Sequence, residues 1–111
     1  SFLSGNLSLA ETELQRVVQR YASTPSGVRA KMMLAQAMYG QGRHEQGVAL
    51  LTEVVGTGAA APYRAAIHAL IAAGYEDLGR FDQAAAAYAA ASSAAVSRME
   101  RDAYKADQAR V

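Results

Sequence analysis

The chain has 111 residues, no cysteine, and eleven basic against ten acidic side chains, for a formal net charge of +1. That length serves one domain with one continuous core, and the absence of cysteine excludes disulfides, thiolate metal sites and a cysteine nucleophile. Charges of both signs are interspersed, which gives neither a nucleic-acid footprint nor a polybasic membrane patch. The longest apolar tract, alanine-rich from Ala84 to Ala91 around Tyr88, falls short of the roughly 18 apolar residues that a membrane span requires, so no transmembrane helix is expected. The start at Ser1-Phe2-Leu3 shows no basic region ahead of an apolar stretch, and no signal peptide is expected in it.

Ser8-Leu9-Ala10-Glu11 fits a capping box, and Ala10, Leu14, Val17, Val18 and Tyr21 recur at helical steps, predicting an amphipathic helix over 8–22. Ser23-Thr24-Pro25 ends it. Pro25 suits the first turn of the next helix, with Thr24 or Ser23 as its cap and Ala30, Leu34, Ala35 and Met38 on its buried face. Gly40 and Gly42 close that helix at a tight turn. A third helix is predicted over 44–55, with Gly47, Val48, Leu51, Val54 and Val55 inward, until Gly56-Thr57-Gly58 breaks the pattern. Pro62 is expected to open a fourth helix over 62–78, with Ile67, Ile71, Ala72 and Tyr75 inward. A fifth follows over 81–95, with Phe81, Ala84, Ala85, Tyr88 and Ala91 inward, and a sixth from near Ser97 onward.

These elements repeat. Gly42-Arg43-His44-Glu45-Gln46-Gly47 returns 37 residues later as Gly79-Arg80-Phe81-Asp82-Gln83-Ala84, and the same offset carries Pro25 to Pro62, Leu34-Ala35 to Ile71-Ala72 and Leu51 to Tyr88. A fixed period of this size is the signature of stacked helical hairpins. The chain therefore parses as one all-α domain over 1–111: a half repeat at 8–22, repeats at 25–55 and 62–95, and a half repeat at 97–111. A unit cut before its turn leaves its last helix without its own partner, so an exposed apolar end, or dimerisation through it, is expected.

Ala72, Tyr75, Gly79, Phe81, Ala84 and Ala91, echoed more loosely by Ala35, Met38, Gly42, His44, Gly47 and Val54, resemble the tetratricopeptide repeat family. Small residues let the two helices of each hairpin approach closely, Ala35 facing Gly47 and Ala72 facing Ala84, while Phe81 would plug the turn. Lys31 and His68 stand where that family carries a large aromatic, and the unit is longer than its usual period of about 34 residues. Longer links of this kind are similar to those of divergent repeats in bacterial envelope proteins, among them outer-membrane assembly lipoproteins, the periplasmic partner of the Tol system and an accessory subunit of the secretion translocon. The resemblance implies a solenoid of about six antiparallel helices, in which the first helices of successive units line a concave peptide-binding groove. Carried onto this chain, the groove-facing residues are Arg29, Met32, Gln36 and Tyr39 from the first unit, with Ala66, Ala69, Ala73 and Glu76 from the second. A methionine and a tyrosine beside small alanines suit an apolar helix or extended peptide. Met32 and Tyr39 have a second reading, in which they pack against a neighbouring helix. A clamp for chaperone carboxy-termini would need lysine and asparagine where Met32 and Gln36 stand.

No residue constellation for chemistry emerges. His44 occupies the place of Phe81 and is expected to pack, and His68 has no second ligand at metal spacing. His44-Glu45 lacks the second histidine of a zinc motif, since Val48 stands there. Gly40-Gln41-Gly42 follows no strand and is no phosphate loop. Glu11 and Glu13 point in different directions on a helix, and the Arg98, Arg101, Lys105 and Arg110 side of the last helix is interleaved with Glu100, Asp102 and Asp107. The expectation is a non-catalytic module without cofactor or metal that binds a protein or peptide in a bacterial envelope complex, periplasmic or membrane-anchored, with a cytoplasmic location as the alternative that the lack of cysteine leaves open. The alternative is self-association through exposed end helices.

Overall fold

The computed structural model describes residues 9, 11–16, 19–20 and 23–111. Among these the only regular structure is helical, with no strand: helical residues at 9, 11–16 and 19–20, then α1 (Pro25–Gly40), α2 (His44–Val55), a short 3-10 helix (Gly58–Tyr63), α3 (Arg64–Asp77), α4 (Phe81–Ala94) and α5 (Arg98–Arg110). Ser8, Ala10, Val17, Val18 and Tyr21, on which part of the first predicted helix rested, lie outside the described residues. Each α-helix packs on the next.

The helix ends show why the chain breaks where it does. Thr24, extended at φ −115° and ψ 159°, caps α1 by accepting the Gly27 N–H on its Oγ1 at 3.1 Å, with Pro25 in the first turn. Gly42 (φ 78°) and Gly79 (φ 74°) take the left-handed conformation that glycine adopts without steric cost. The following amides then fold back, Arg43 onto the Met38 carbonyl at 2.8 Å and Arg80 onto the Tyr75 carbonyl at 2.9 Å, which satisfies carbonyls left open at each helix end. Ser97 caps α5 in the same way as Thr24 caps α1, accepting the Glu100 N–H at 3.1 Å.

One predicted boundary moves. Pro62 does not open the fourth helix but sits inside the 3-10 segment, and α3 starts at Arg64. The extra link residues form that 3-10 turn, with Ala60 fully buried under it. The Arg64 guanidinium then reaches back to the Val55 carbonyl at 3.0 Å and the Thr57 carbonyl at 2.9 Å, covering the end of α2. Phe81 also departs from expectation: it is 54% exposed rather than plugging its turn. Its repeat-mate His44 is held by a ring stacked on Tyr39, and the residue matching Tyr39 one unit later is Glu76, which offers Phe81 no ring to rest on.

The core is a line of aliphatic and small side chains shared by consecutive helices. Val28, Leu51, Val54 and Ile67 are essentially inaccessible, and Ala35, Ala72, Ala84 and Ala91 let neighbouring backbones approach. A Cβ on Gly47 would lie 3.1 Å from the Ala35 carbonyl oxygen, so the close approach of Ala35 and Gly47 read from the sequence is present. Two ion pairs repeat across units: the Arg43 guanidinium holds the Glu11 carboxylate at 2.8 Å, and Arg80 holds Glu45 at 2.5 Å. Each links a turn to the preceding second helix.

Tyr39 joins the two hairpins. Its hydroxyl donates to the Leu70 carbonyl at 2.8 Å, and its ring occupies the space that Cβ atoms on Gly47 and Gly74 would need. A methyl on Gly47 would stand 2.5 Å from the ring, and one on Gly74 would stand 2.6 Å from Val48 Cγ2 and 2.7 Å from Tyr39 Cζ. Gly47→Ala and Gly74→Ala are each expected to destabilise the fold by about 1–3 kcal/mol through overpacking. Gly56→Ala, where a Cβ meets nothing within 4 Å, is the control and is expected to be neutral or slightly stabilising. Urea unfolding midpoints for the three variants check the contrast.

Candidate functional site

Two open surfaces flank the core. On the first-helix side, Arg29 and Gln36 of α1 are exposed, and Met32 is partly buried against the core. Ala66, Ala69 and Ala73 of α3 share a helix face and are partly exposed beside them. Ala103 and Ala106 of α5, 37 residues after Ala66 and Ala69, are exposed on the equivalent face. Small, at least partly exposed side chains thus recur at corresponding positions of α3 and α5.

Tyr39 and Glu76 are placed differently from the rest of that set. The Tyr39 hydroxyl and ring are consumed by Leu70, His44 and the two glycines. Burial, with Asp77 and Tyr75 adding to it, pushes its pKa well above the usual phenol range. Tyr39 therefore realises the packing reading and presents no free hydroxyl to a ligand. Glu76 receives both Arg110 Nη atoms, at 2.8 and 3.0 Å, and the Tyr88 hydroxyl at 2.6 Å. These bonds, the one from Arg110 first, lower the carboxyl below its ordinary range, while burial and then the Glu76 carboxylate push Tyr88 up to about 12. Glu76 ties α3 to α4 through Tyr88 and to the end of α5 through Arg110.

On the opposite, second-helix side, α3 floors a groove walled by α2 and α4. Its lining includes Thr52 and Val55 from α2, His68, Ile71 and Tyr75 from α3, and Gln83, Ala86 and Ala90 from α4, around a volume of about 350 Å³. A second depression of about 700 Å³ shares Thr52 and Tyr75 with it and continues to Glu45 and Arg80. Sequence reading did not find this groove, because the alanine run of α4 reads equally well as close packing. That run divides: Ala84, Ala87 and Ala91 are buried, whereas Ala86 is exposed and Ala90 partly so. The available signal was His68, a smaller side chain than the large aromatic that the resemblance leads one to expect there.

His44 packs on Tyr39, ring centroids 5.2 Å apart, and its Nε2 also meets Asp77 Oδ2 at 3.1 Å. The pair fastens the start of α2 to the end of α3. Among the described residues, no three His, Cys, Asp or Glu side chains gather to hold a metal ion, and no helix is long and apolar enough to cross a membrane. The chain matches no family model, no curated protein and no solved structure.

Two titrations follow from this geometry. Glu76 has a lowered pKa in the fold, so its stabilising contribution is complete above the usual carboxylate range near about pH 4 and is lost as pH falls through the lower folded value. Glu76→Gln is expected to flatten that part of the acid limb in a plot of Tm against pH. His68 is lowered by burial first and then by Arg64, so the unfolded chain binds its proton more readily and stability falls as pH drops below about 6.5. His68→Gln is expected to remove that earlier, separate decline. An unchanged acid limb in either variant would contradict the corresponding assignment.

Proposed function

We propose that the chain is a non-catalytic protein-binding module, a tetratricopeptide-like stack of helical hairpins that lays a partner helix or peptide in the trough formed by its first helices. The observation that carries this reading is the recurrence of small side chains left at least partly exposed, Ala66, Ala69 and Ala73 on α3 and Ala103 and Ala106 on α5, alongside a partly buried Met32 on α1. Met32 supplies a flexible apolar contact, while Arg29 and Gln36, both exposed, supply polar selectivity at its edge. Tyr39 links α1 to α3 through the Leu70 carbonyl, and Glu76 links α3 to Arg110 of α5. Assignment to a bacterial envelope complex rests on the resemblance of the long inter-unit links alone.

A second reading, self-association, has one observation in its favour. At the corner between α4 and α5, Val96 is 93% exposed and Met99 82% exposed. The other exposed side chains of α5 are charged, polar or alanine, so the large apolar side chains exposed there gather at that corner.

Selection from a phage-displayed peptide library separates the two. The binding reading expects apolar, helix-forming peptides to be enriched on the native protein and lost on Met32→Glu and Ala69→Glu, with both variants retaining the native circular dichroism spectrum. Peptides insensitive to both substitutions would place the site elsewhere. A mass that rises with concentration in light scattering, and is returned to the monomer value by Val96→Lys, would favour self-association.

A further inference from the structure

We propose that the groove on the second-helix side, between α2 and α4, is a docking site for a basic amphipathic helix of another protein. It lies on the face opposite the first-helix trough and does not depend on that trough being occupied.

The shape sets the kind of occupant. The two depressions share Thr52 and Tyr75 and form one channel along α2 from Glu45 to Val55. At about 1.5 Å per residue this is roughly 15 Å, the length of about three helical turns. Its lining includes the apolar side chains of Val55 and Ile71 and the Tyr75 ring, and Ala86 and Ala90 keep the α4 wall low. A helix presenting leucines or alanines at three- and four-residue steps fills such a channel, whereas a polar segment would leave its floor uncovered.

The rim selects the charge. Glu53 lines the channel from α2 and is exposed, and Asp82 is exposed one turn before Ala86 on α4. Among the described residues neither has an ion-pair or hydrogen-bond partner. Glu45 lies at the channel's end and is shared with Arg80. Arg64, at the other end, is turned onto the carbonyls of Val55 and Thr57 and does not reach these carboxylates. Glu45 and Glu53 thus line the channel with one guanidinium, that of Arg80, and Asp82 stands one turn from its Ala86 wall, on a chain whose overall charge is +1. The local sign is opposite to the global one, and lysine or arginine on the flanks of an incoming helix would meet Glu53 and Asp82.

The test uses a synthetic, fluorescein-labelled peptide of four helical turns, with leucine and alanine on one face and lysine on the other, and a counterpart with every lysine replaced by glutamate. Fluorescence anisotropy against the native protein is expected to show at least tenfold tighter binding of the lysine peptide. Amide chemical-shift changes should centre on Thr52, Ala86 and Ala90. Glu53→Lys with Asp82→Lys should remove the preference between the two peptides, and Ala86→Arg should weaken the lysine peptide at least fivefold. A native circular dichroism spectrum and Tm in each variant confirm that the groove itself was altered. Equal binding of the two peptides, shifts confined to Met32, Ala69 and Ala106, or affinity unchanged in the variants would overturn the proposal. So would binding of the native protein to anionic lipid vesicles that the lysine peptide fails to compete.

Discussion

The placement of Tyr39 between two glycines governs how the two hairpins meet. Gly47 belongs to the same hairpin as Tyr39 and Gly74 to the next, and the ring can lie where it does only because both lack a Cβ. Its hydroxyl then satisfies the Leu70 carbonyl, and His44 stacks on its other flank while binding Asp77. One side chain thereby couples α1, α2 and α3 through steric fit, a hydrogen bond and a stacked ring. An aromatic ring brings a large contact area with few rotatable bonds, which suits it to fixing the distance between helices. Both open surfaces inherit their geometry from this junction, since each is bounded by α3 and by a helix of the preceding hairpin.

The second junction uses different chemistry for the same purpose. Where the first unit has Tyr39, the second has Glu76, which is tied by Arg110 of α5 and Tyr88 of α4. An ion pair with its carboxylate only about one-fifth exposed takes the place of a buried ring. The substitution explains two local facts. Ala84 tolerates a methyl where its mate Gly47 cannot, because no tyrosine ring presses on it, and Phe81 remains exposed for the same reason.

Helix positions were legible in the sequence because their ends carry strong local chemistry. Thr24-Pro25, Gly42, Gly79 and Ser97 mark boundaries that the backbone respects within a residue or two. Pro62 misled because a proline at a helix start and a proline inside a 3-10 turn have the same local signature. Side-chain destinations were less legible. Helical period places Met32, Tyr39, Ala69 and Glu76 on one face, but it cannot say that a long side chain at the helix end bends across to the next helix, as Tyr39 and Glu76 do. Arg29 turns to Ser26 Oγ of its own helix, Gln36 is exposed, and the α3 alanines stay partly exposed. The groove on the second-helix side was hidden for a related reason: it consists of an absence of bulk at His68, Ala86 and Ala90, and small residues also serve close packing.

If Tyr39 joins the hairpins into one folding unit, its removal should uncouple them. The direct measurement is residue-resolved urea unfolding by amide NMR of the native chain and of Tyr39→Ala. Coincident transitions are expected in the native protein and, in the variant, loss of α1 and α2 at lower urea than α3 and α4. Coincident transitions in the variant, merely shifted together, would show that the hairpins are coupled through the remaining core and would contradict the role given to Tyr39.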